Sequence, residues 1–241
     1  MDDVIRLTNV SKRFEVRTHR ATLFGLFKAS LAGTARTRTL TALDGVSLTI
    51  GRGEKVGVVG GNGSGKSTLM RLVAGIFAPS AGTLHVGDRA AGILQAGAGM
   101  HRDLSAAENA ELFGALLDLS SSEVRARLPE ILDFAELDAF AHAPLREFSH
   151  GMVQRLAFSV LRTAAPPILL LDELLSGADA RFSTKALSEL AAARDQTLLF
   201  ASHSLSLVER LCTRTLFLDA GRVVAFGPTA EVIARYRPSA G

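Results

Sequence analysis

Tryptophan is missing from this 241-residue chain, tyrosine and cysteine occur once each, and apolar runs stay short. A single cysteine, Cys212, excludes an internal disulfide, and its expected role is that of a small buried side chain. The longest apolar run, Ala164 to Leu171, contains two prolines and falls far short of the roughly 20 residues a spanning helix needs. The start of the chain, MDDVIRLTNV, has aspartates where a secretory leader has a basic region and an apolar stretch. A cytoplasmic protein is therefore expected. A single tyrosine, no tryptophan and no recognised nucleic-acid fold motif argue against a nucleic-acid partner.

What is present is an ordinary globular composition, 47% hydrophobic and 21% charged, which makes disorder an unsuitable description of most of the length. The net charge is only +3, but Val16 to Leu43 carries Arg17, Arg20, Lys28, Arg36 and Arg38 with no acidic residue. Such a stretch suits either a solvated loop or a surface that meets lipid headgroups or a membrane partner. Within it Leu23, Phe24, Phe27 and Leu31 fall at roughly helical spacing, so a short amphipathic piece near a membrane face is one expectation and packing on its own domain the other.

Three apolar runs, Lys55 to Val59, Ile168 to Leu171 and Thr197 to Ala201, read as buried parallel strands. Helical spacing over Ser67 to Phe77 and Ser183 to Arg194 gives the alternation of a doubly wound α/β sheet. Val4 to Leu7, Val46 to Ile50 and Thr83 to Val86 predict antiparallel strands of a second, smaller sheet. From about Leu104 to Leu161 the composition turns to Ala, Leu and Glu with helical periodicity, as in Ala106 to Leu117 and Ser122 to Phe134, which suggests an inserted helical subdomain. Val223 to Ala225 and Thr229 to Tyr236 predict a last strand and helix.

Gly60-Gly-Asn-Gly-Ser-Gly-Lys-Ser-Thr68 satisfies G-x-x-x-x-G-K-[ST] between a strand and a helix. Glycines 60, 63 and 65, with Asn62 and Ser64, let backbone amides converge on phosphate oxygens; Lys66 adds charge, Ser67 a hydroxyl for Mg²⁺, and Thr68 continues into the helix. Asp172 and Glu173 close the strand Ile168 to Leu171 at the carboxyl end of the sheet, where ligands of open α/β folds bind. Asp172 suits a Mg²⁺-positioning acid, and Glu173 a base for an attacking water. His203 follows its own strand in the same way and is placed to hydrogen-bond a phosphate or that water. Ser149-His150-Gly151-Met152 offers a hydroxyl, amides around a glycine and a helix start: an anion site without a lysine.

In this order the motifs resemble the ATP-binding subunits of ABC transporters along nearly the whole chain. The resemblance implies a P-loop NTPase fold with a RecA-like parallel sheet core, an antiparallel β subdomain and an inserted α-helical subdomain at about residues 96–162, in one ATPase domain without a C-terminal carbohydrate-binding domain. It implies that ATP and Mg²⁺ are bound, that Phe14 of Ser11-Lys-Arg-Phe14 stacks on adenine, and that Gln95 serves the metal and the attacking water. Asp179 belongs to the loop after Asp172-Glu173. Ser149 and Gly151 stand in the loop that covers the γ phosphate held by a second subunit, so a homodimer is implied. A separate membrane permease is implied as well, with the subunit peripheral on the cytoplasmic face of the inner membrane. The usual Ser-Gly-Gly-Gln is altered at His150 and Met152. That form, Gly97-Ala-Gly-Met-His101 and the basic insertion resemble subunits exporting O-antigen, capsule or teichoic acid, although Ser176-Gly177-Ala178-Asp179 displaces the glycine and aspartate of that branch's usual loop. ATPases of other exporters or importers, and non-transport ABC proteins, are the competing readings.

Overall fold

The computed structural model describes residues 3–17, 37–94, 97–173 and 179–236. Its centre is a six-stranded sheet in the order β5-β6-β7-β3-β8-β9. The three apolar runs form its middle: β3 (Lys55–Val59), β6 (Ile168–Asp172) and β7 (Thr197–Ala201), mutually parallel with β7 between the other two. Successive side chains of β6 go to opposite faces: Ile168 and Leu170 enter one core, Leu169 and Leu171 the other. Both faces are thus apolar, and a one-residue slip would exchange the two sets, so packing fixes the register.

Two strands of this sheet were not expected. β8 (Arg214–Asp219) adds to β3 in parallel, and β5 (Ala90–Ile93) adds to β6. The latter has only Ala-Ala-Gly-Ile, residues of poor strand preference, and tertiary context decides the matter. A Cβ on Gly92 would lie 1.8 Å from the Leu170 carbonyl oxygen, so the close approach of the two backbones demands glycine. The expected strand Val223 to Ala225 falls inside β9 (Arg222–Pro228), which runs antiparallel to β8.

A second sheet, antiparallel in the order β2-β1-β4, contains β1 (Asp3–Arg17), β2 (Thr37–Gly51) and β4 (Ala81–Val86). The first two are far longer than the predicted Val4 to Leu7 and Val46 to Ile50. They pair as far as Phe14 opposite Leu40, Val16 opposite Arg38 and Arg17 opposite Thr37. The basic segment Val16 to Leu43 is therefore sheet at both ends, where cross-strand pairing outweighs the polar composition. Its amphipathic candidates Leu23, Phe24, Phe27 and Leu31 lie outside the described residues.

Helix α1 (Lys66–Val73) is shorter than Ser67 to Phe77 because Gly75 takes φ 73° and the Gly75 and Ile76 amides bond back to Leu72 and Arg71 carbonyls. α2 (Ala106–Leu116) and α3 (Ser121–Ala135) each open with a capping box, Ser105 with Glu108 and Ser120 with Glu123. They pack with α4 (His150–Ala164) around Ala110, Phe113, Val124, Phe134 and Phe158. α5 (Ala180–Ala192) starts ahead of the predicted Ser183 since Asp179 caps it, accepting from the Phe182 amide at 2.9 Å. A short α6 (Leu205–Leu211) was not foreseen, and α7 (Thr229–Tyr236) matches its expectation.

Cys212 is 5% exposed in the core under α6, and burial pushes its thiol up to about 12. Relative to an ordinary cysteine that cuts the thiolate fraction at neutral pH by about a thousandfold. The folded protein should therefore release almost no colour with a disulfide thiol reagent at pH 7.5, and one equivalent in denaturant; fast reaction under native conditions would contradict this packing.

Candidate functional site

Backbone conformation comes first. The turn after β3 holds Gly60 at φ 152°, Gly63 at φ 76° and Gly65 at φ 108°. A Cβ at Gly60 would sit 2.2 Å from the Leu218 carbonyl oxygen, and one at Gly65 2.7 Å from that of Ala42. Both positions combine a left-handed conformation with neighbours that leave no room for a side chain. The turn is tied to the sheet by the Gly221 amide, which donates to the Ser64 carbonyl at 3.0 Å. α1 then begins at Lys66, so the concave turn and a helix N-terminus face the same space.

Lys66 is only 7% exposed. Its ammonium donates to the carbonyls of Gly60 at 2.8 Å and Gly61 at 3.1 Å. Burial pulls its pKa below the ordinary lysine value, while Glu173 and Asp172 draw it upward. Asp172, at the end of β6, shifts the other way: burial raises its pKa first, the charge of Glu173 adds to that, and a hydrogen bond from Ser67 and the charge of Lys66 oppose it. Glu173 has left the strand with φ 55°, and its amide donates to the Ala201 carbonyl at 3.0 Å. Such a conformation is uncommon for a residue with a side chain and persists only where the surroundings impose it. It brings Glu173 Oε1 to 2.8 Å from His203 Nε2.

Lys66, Ser67, Glu173 and His203 share a cavity of about 300 Å³, and Asp172 reaches it through its hydrogen bond from Ser67. Phe14 and Leu40 wall one end, residues 62–68 line the floor, and Glu173 and His203 stand at the other end. Leu40 was not singled out in the sequence; it reaches the site because it pairs with Phe14 across the sheet. Asp179 is committed to capping α5, and the Phe182 amide it accepts from is the main reason its pKa is lowered. Ser149 caps α4, accepting from the Met152 amide at 3.3 Å, and neither it nor Gly151 lines this cavity. Gln95 lies outside the described residues. A larger cavity, about 470 Å³, sits at the opposite end of β6 beside Phe158, Leu161 and Leu190, away from every phosphate-loop residue. The smaller one is the functional candidate, since ligands of open α/β sheets bind at the carboxyl ends of strands.

The arrangement suits a triphosphate and a hard cation. Inward amides, an ammonium and a helix start complement phosphate oxygens, and the Ser67 hydroxyl with the Asp172 carboxylate offers two oxygen donors side by side. Among the described residues no cluster of three or more His, Cys, Asp or Glu side chains forms a self-sufficient metal cage. Two donors and a phosphate fit Mg²⁺, which keeps most of its water.

The raised pKa of Asp172 has a stability consequence. A carboxyl that holds its proton more tightly when folded favours the fold at low pH, and that contribution is lost as pH climbs from the ordinary aspartate range through the raised value. In urea titrations without nucleotide or Mg²⁺, Asp172→Asn should have the higher midpoint at pH 7 to 8, with the gap closing toward pH 4. A variant less stable at all pH values would refute this.

A family model described as ABC transporter matches residues 43–176. An O-antigen export system ATP-binding protein, RfbB of Myxococcus xanthus, is 41% identical over 98% of this chain, which spans 56% of that relative's length. A protein of the same name from Klebsiella pneumoniae is 34% identical over 98% of both chains. The teichoic acids export ATP-binding protein TagH of Bacillus anthracis is 38% identical over 81% of this chain and 36% of its own. Among solved structures, the dimeric post-hydrolysis state of the ATP-binding cassette MJ0796 bound to ADP and Pi has a TM-score of 0.75 at 24% identity, over 93% of this chain and 98% of that one. The likeness of fold agrees with the two-sheet architecture described above. By its family match and by a relative 34% identical over 98% of both chains, this chain belongs to the ABC transporter family.

Proposed function

We propose that the chain is the ATP-hydrolysing subunit of an exporter of lipid-linked cell-surface polysaccharide, working as a homodimer beneath a separate membrane permease. The observation that carries the catalytic half is the convergence, in one cavity, of the phosphate turn with Lys66, Glu173 and His203, with Asp172 hydrogen-bonded to Ser67 of that turn. The substrate half is supported by the relatives named for O-antigen and teichoic acid export. Among the described residues no helix is long and apolar enough to cross a membrane. The reading gives the transport path to a permease and this subunit the cytoplasmic face of the inner membrane, and what supports it is the family match and the relatives named as parts of export systems.

In this reading ATP lies with its base beside Phe14 and its phosphates along residues 60–68. Lys66 exchanges two neutral carbonyl acceptors for anionic phosphate oxygens, a gain because ion–ion attraction is added to hydrogen bonds that the ammonium already assists. Ser67 and Asp172 would hold Mg²⁺, which would supply positive charge to offset that of the phosphates. Glu173 orients the attacking water and accepts its proton. His203 Nε2–H, donating to Glu173, fixes the direction of that carboxylate. Gln95 would reach the metal and the water. Ser149 and Gly151, at the start of α4, serve the γ phosphate held by Lys66 of the second copy, and Asp179 lies in the loop beside that boundary. Catalysis then consists mainly of positioning and charge stabilisation, as phosphoryl transfer requires.

Glu173→Gln should keep MgATP binding within about twofold of wild type and lower turnover by at least about a hundredfold, since a general base contributes 10²–10⁴; single-turnover assays check this, and near-normal turnover would place the base elsewhere. The two-copy site predicts complementation. Lys66→Ala and Ser149→Arg chains, each inactive alone, should recover roughly a quarter of wild-type turnover when mixed equally, because half the dimers carry one intact site. No recovery on mixing, with dimers demonstrated, would refute the shared site. For the substrate, cells carrying Lys66→Ala should accumulate an undecorated lipid-linked glycan on the cytoplasmic side, and copurification should retrieve a membrane permease; accumulation of an unrelated solute would point to another transporter class.

A further inference from the structure

Phe14 does not stand alone at the end of the nucleotide cavity. Strand alternation puts Lys12 on the same side of β1, and its Nζ lies 5.1 Å from the Phe14 ring centroid and 5.2 Å from that of Phe77. The two rings meet edge to face, 5.3 Å apart at 72°. Nζ also donates to the Ala78 carbonyl at 2.9 Å, which fixes the ammonium where both rings can use it. Phe77 and Ala78 belong to the segment that follows α1. That segment is buttoned to β1 nearby: the Arg13 amide donates to Ser80 Oγ at 3.0 Å, and the Ser80 amide to the Ser11 carbonyl at 2.8 Å.

We propose that Lys12 is a positioning residue for the purine base: its ammonium locks the Phe14 ring against Phe77 and so ties the base platform to the far end of the phosphate-loop helix. This rests on the reading of the cavity as an ATP site. α1 begins at Lys66, under the phosphates, and the chain just beyond it holds the ring that meets the base. Without Lys12, Phe14, paired across the sheet with the exposed Leu40, would keep the Phe77 edge contact but lose the cation that holds the ring against it. Ordering the ring would then be charged to nucleotide binding. A cation above an aromatic face and an edge-to-face ring pair each restrict that freedom.

The role separates base recognition from phosphate recognition, and that is what the test reads. Isothermal titration of the full chain with MgATP and, separately, with magnesium tripolyphosphate compares a ligand that has a base with one that has none. For Lys12→Ala the MgATP dissociation constant should rise about three- to tenfold, the range a partly desolvated cation–π contact supports, while tripolyphosphate affinity stays unchanged. Lys12→Arg should restore most of the loss and Lys12→Met, which keeps the stem but not the charge, should not. An unchanged MgATP affinity in Lys12→Ala, an equal loss for both ligands, or a Lys12→Met as good as wild type would each overturn the assignment. Phe14→Ala distinguishes the two levels: if it leaves the ATP-to-tripolyphosphate ratio intact, the base platform itself is wrong and the assignment of Lys12 falls with it. If Phe14→Ala changes the ratio and Lys12→Ala does not, only the brace is wrong.

Discussion

One row of residues across the central sheet fixes everything the site needs. Asp172 of β6 stands beside Ala201 of β7, Ala201 beside Val58 of β3, and Val58 beside Leu216 of β8. Because the strands are parallel, their chains all leave the sheet on the same side just beyond this row. Glu173 follows Asp172, Ser202 and His203 follow Ala201, and Gly60 opens the phosphate turn just after Val59. The chemistry is thus assembled from three sequence-distant strand ends by a register that the alternating burial of Leu169 and Leu171 against Ile168 and Leu170 enforces.

The same row sets the energetic tension of the molecule. Lys66 and Asp172 are each taken partly out of water, and burial opposes the charge of both. Their mutual attraction and the Ser67 hydroxyl offset this only in part, since the net shift of Asp172 remains upward. Glu173 adds a left-handed backbone for a residue that has a side chain. Three departures from local preference within a few residues of one cavity are what a binding site shows when its groups are arranged for a charged ligand rather than for the fold alone.

Much of this was legible in the sequence, and what was not had a physical cause. Lys55 to Val59, Ile168 to Leu171 and Thr197 to Ala201 announced themselves because buried parallel strands are continuous apolar runs. β5 gave no such signal: Ala90-Ala-Gly-Ile is a strand only because Leu170 lies close enough to forbid any side chain at position 92. The long pairing of β1 with β2 was hidden too, because polar, basic and threonine-rich ends such as Thr37 to Thr41 owe their strand geometry to distant partners, Arg17 to Arg13. At the site, the phosphate turn and the carboxylates were readable from spacing, whereas Leu40 and Lys12 acquire meaning only from a cross-strand neighbour and from a ring, Phe77, contributed by another segment.

The placement of Ser149 follows from rigidity rather than from contact. α4 carries it at one end; at the other, Ala165 turns the chain with φ 40°, Pro166 and Pro167 restrict the connection, and β6 runs back through the sheet to Asp172. Helix and strand of such a unit are antiparallel, so the start of the helix and the end of the strand come out on the same side of the sheet. The Arg155 guanidinium, 3.6 Å from Glu136 and 3.7 Å from Asp179, further links α4 to the end of α3 and the start of α5. Ser149 is therefore on the same side of the sheet as Asp172 yet outside the walls of the cavity. The proposed two-copy ATP site puts this placement to use, with the Ser149 hydroxyl and the amides about Gly151 meeting an anion brought by a second molecule.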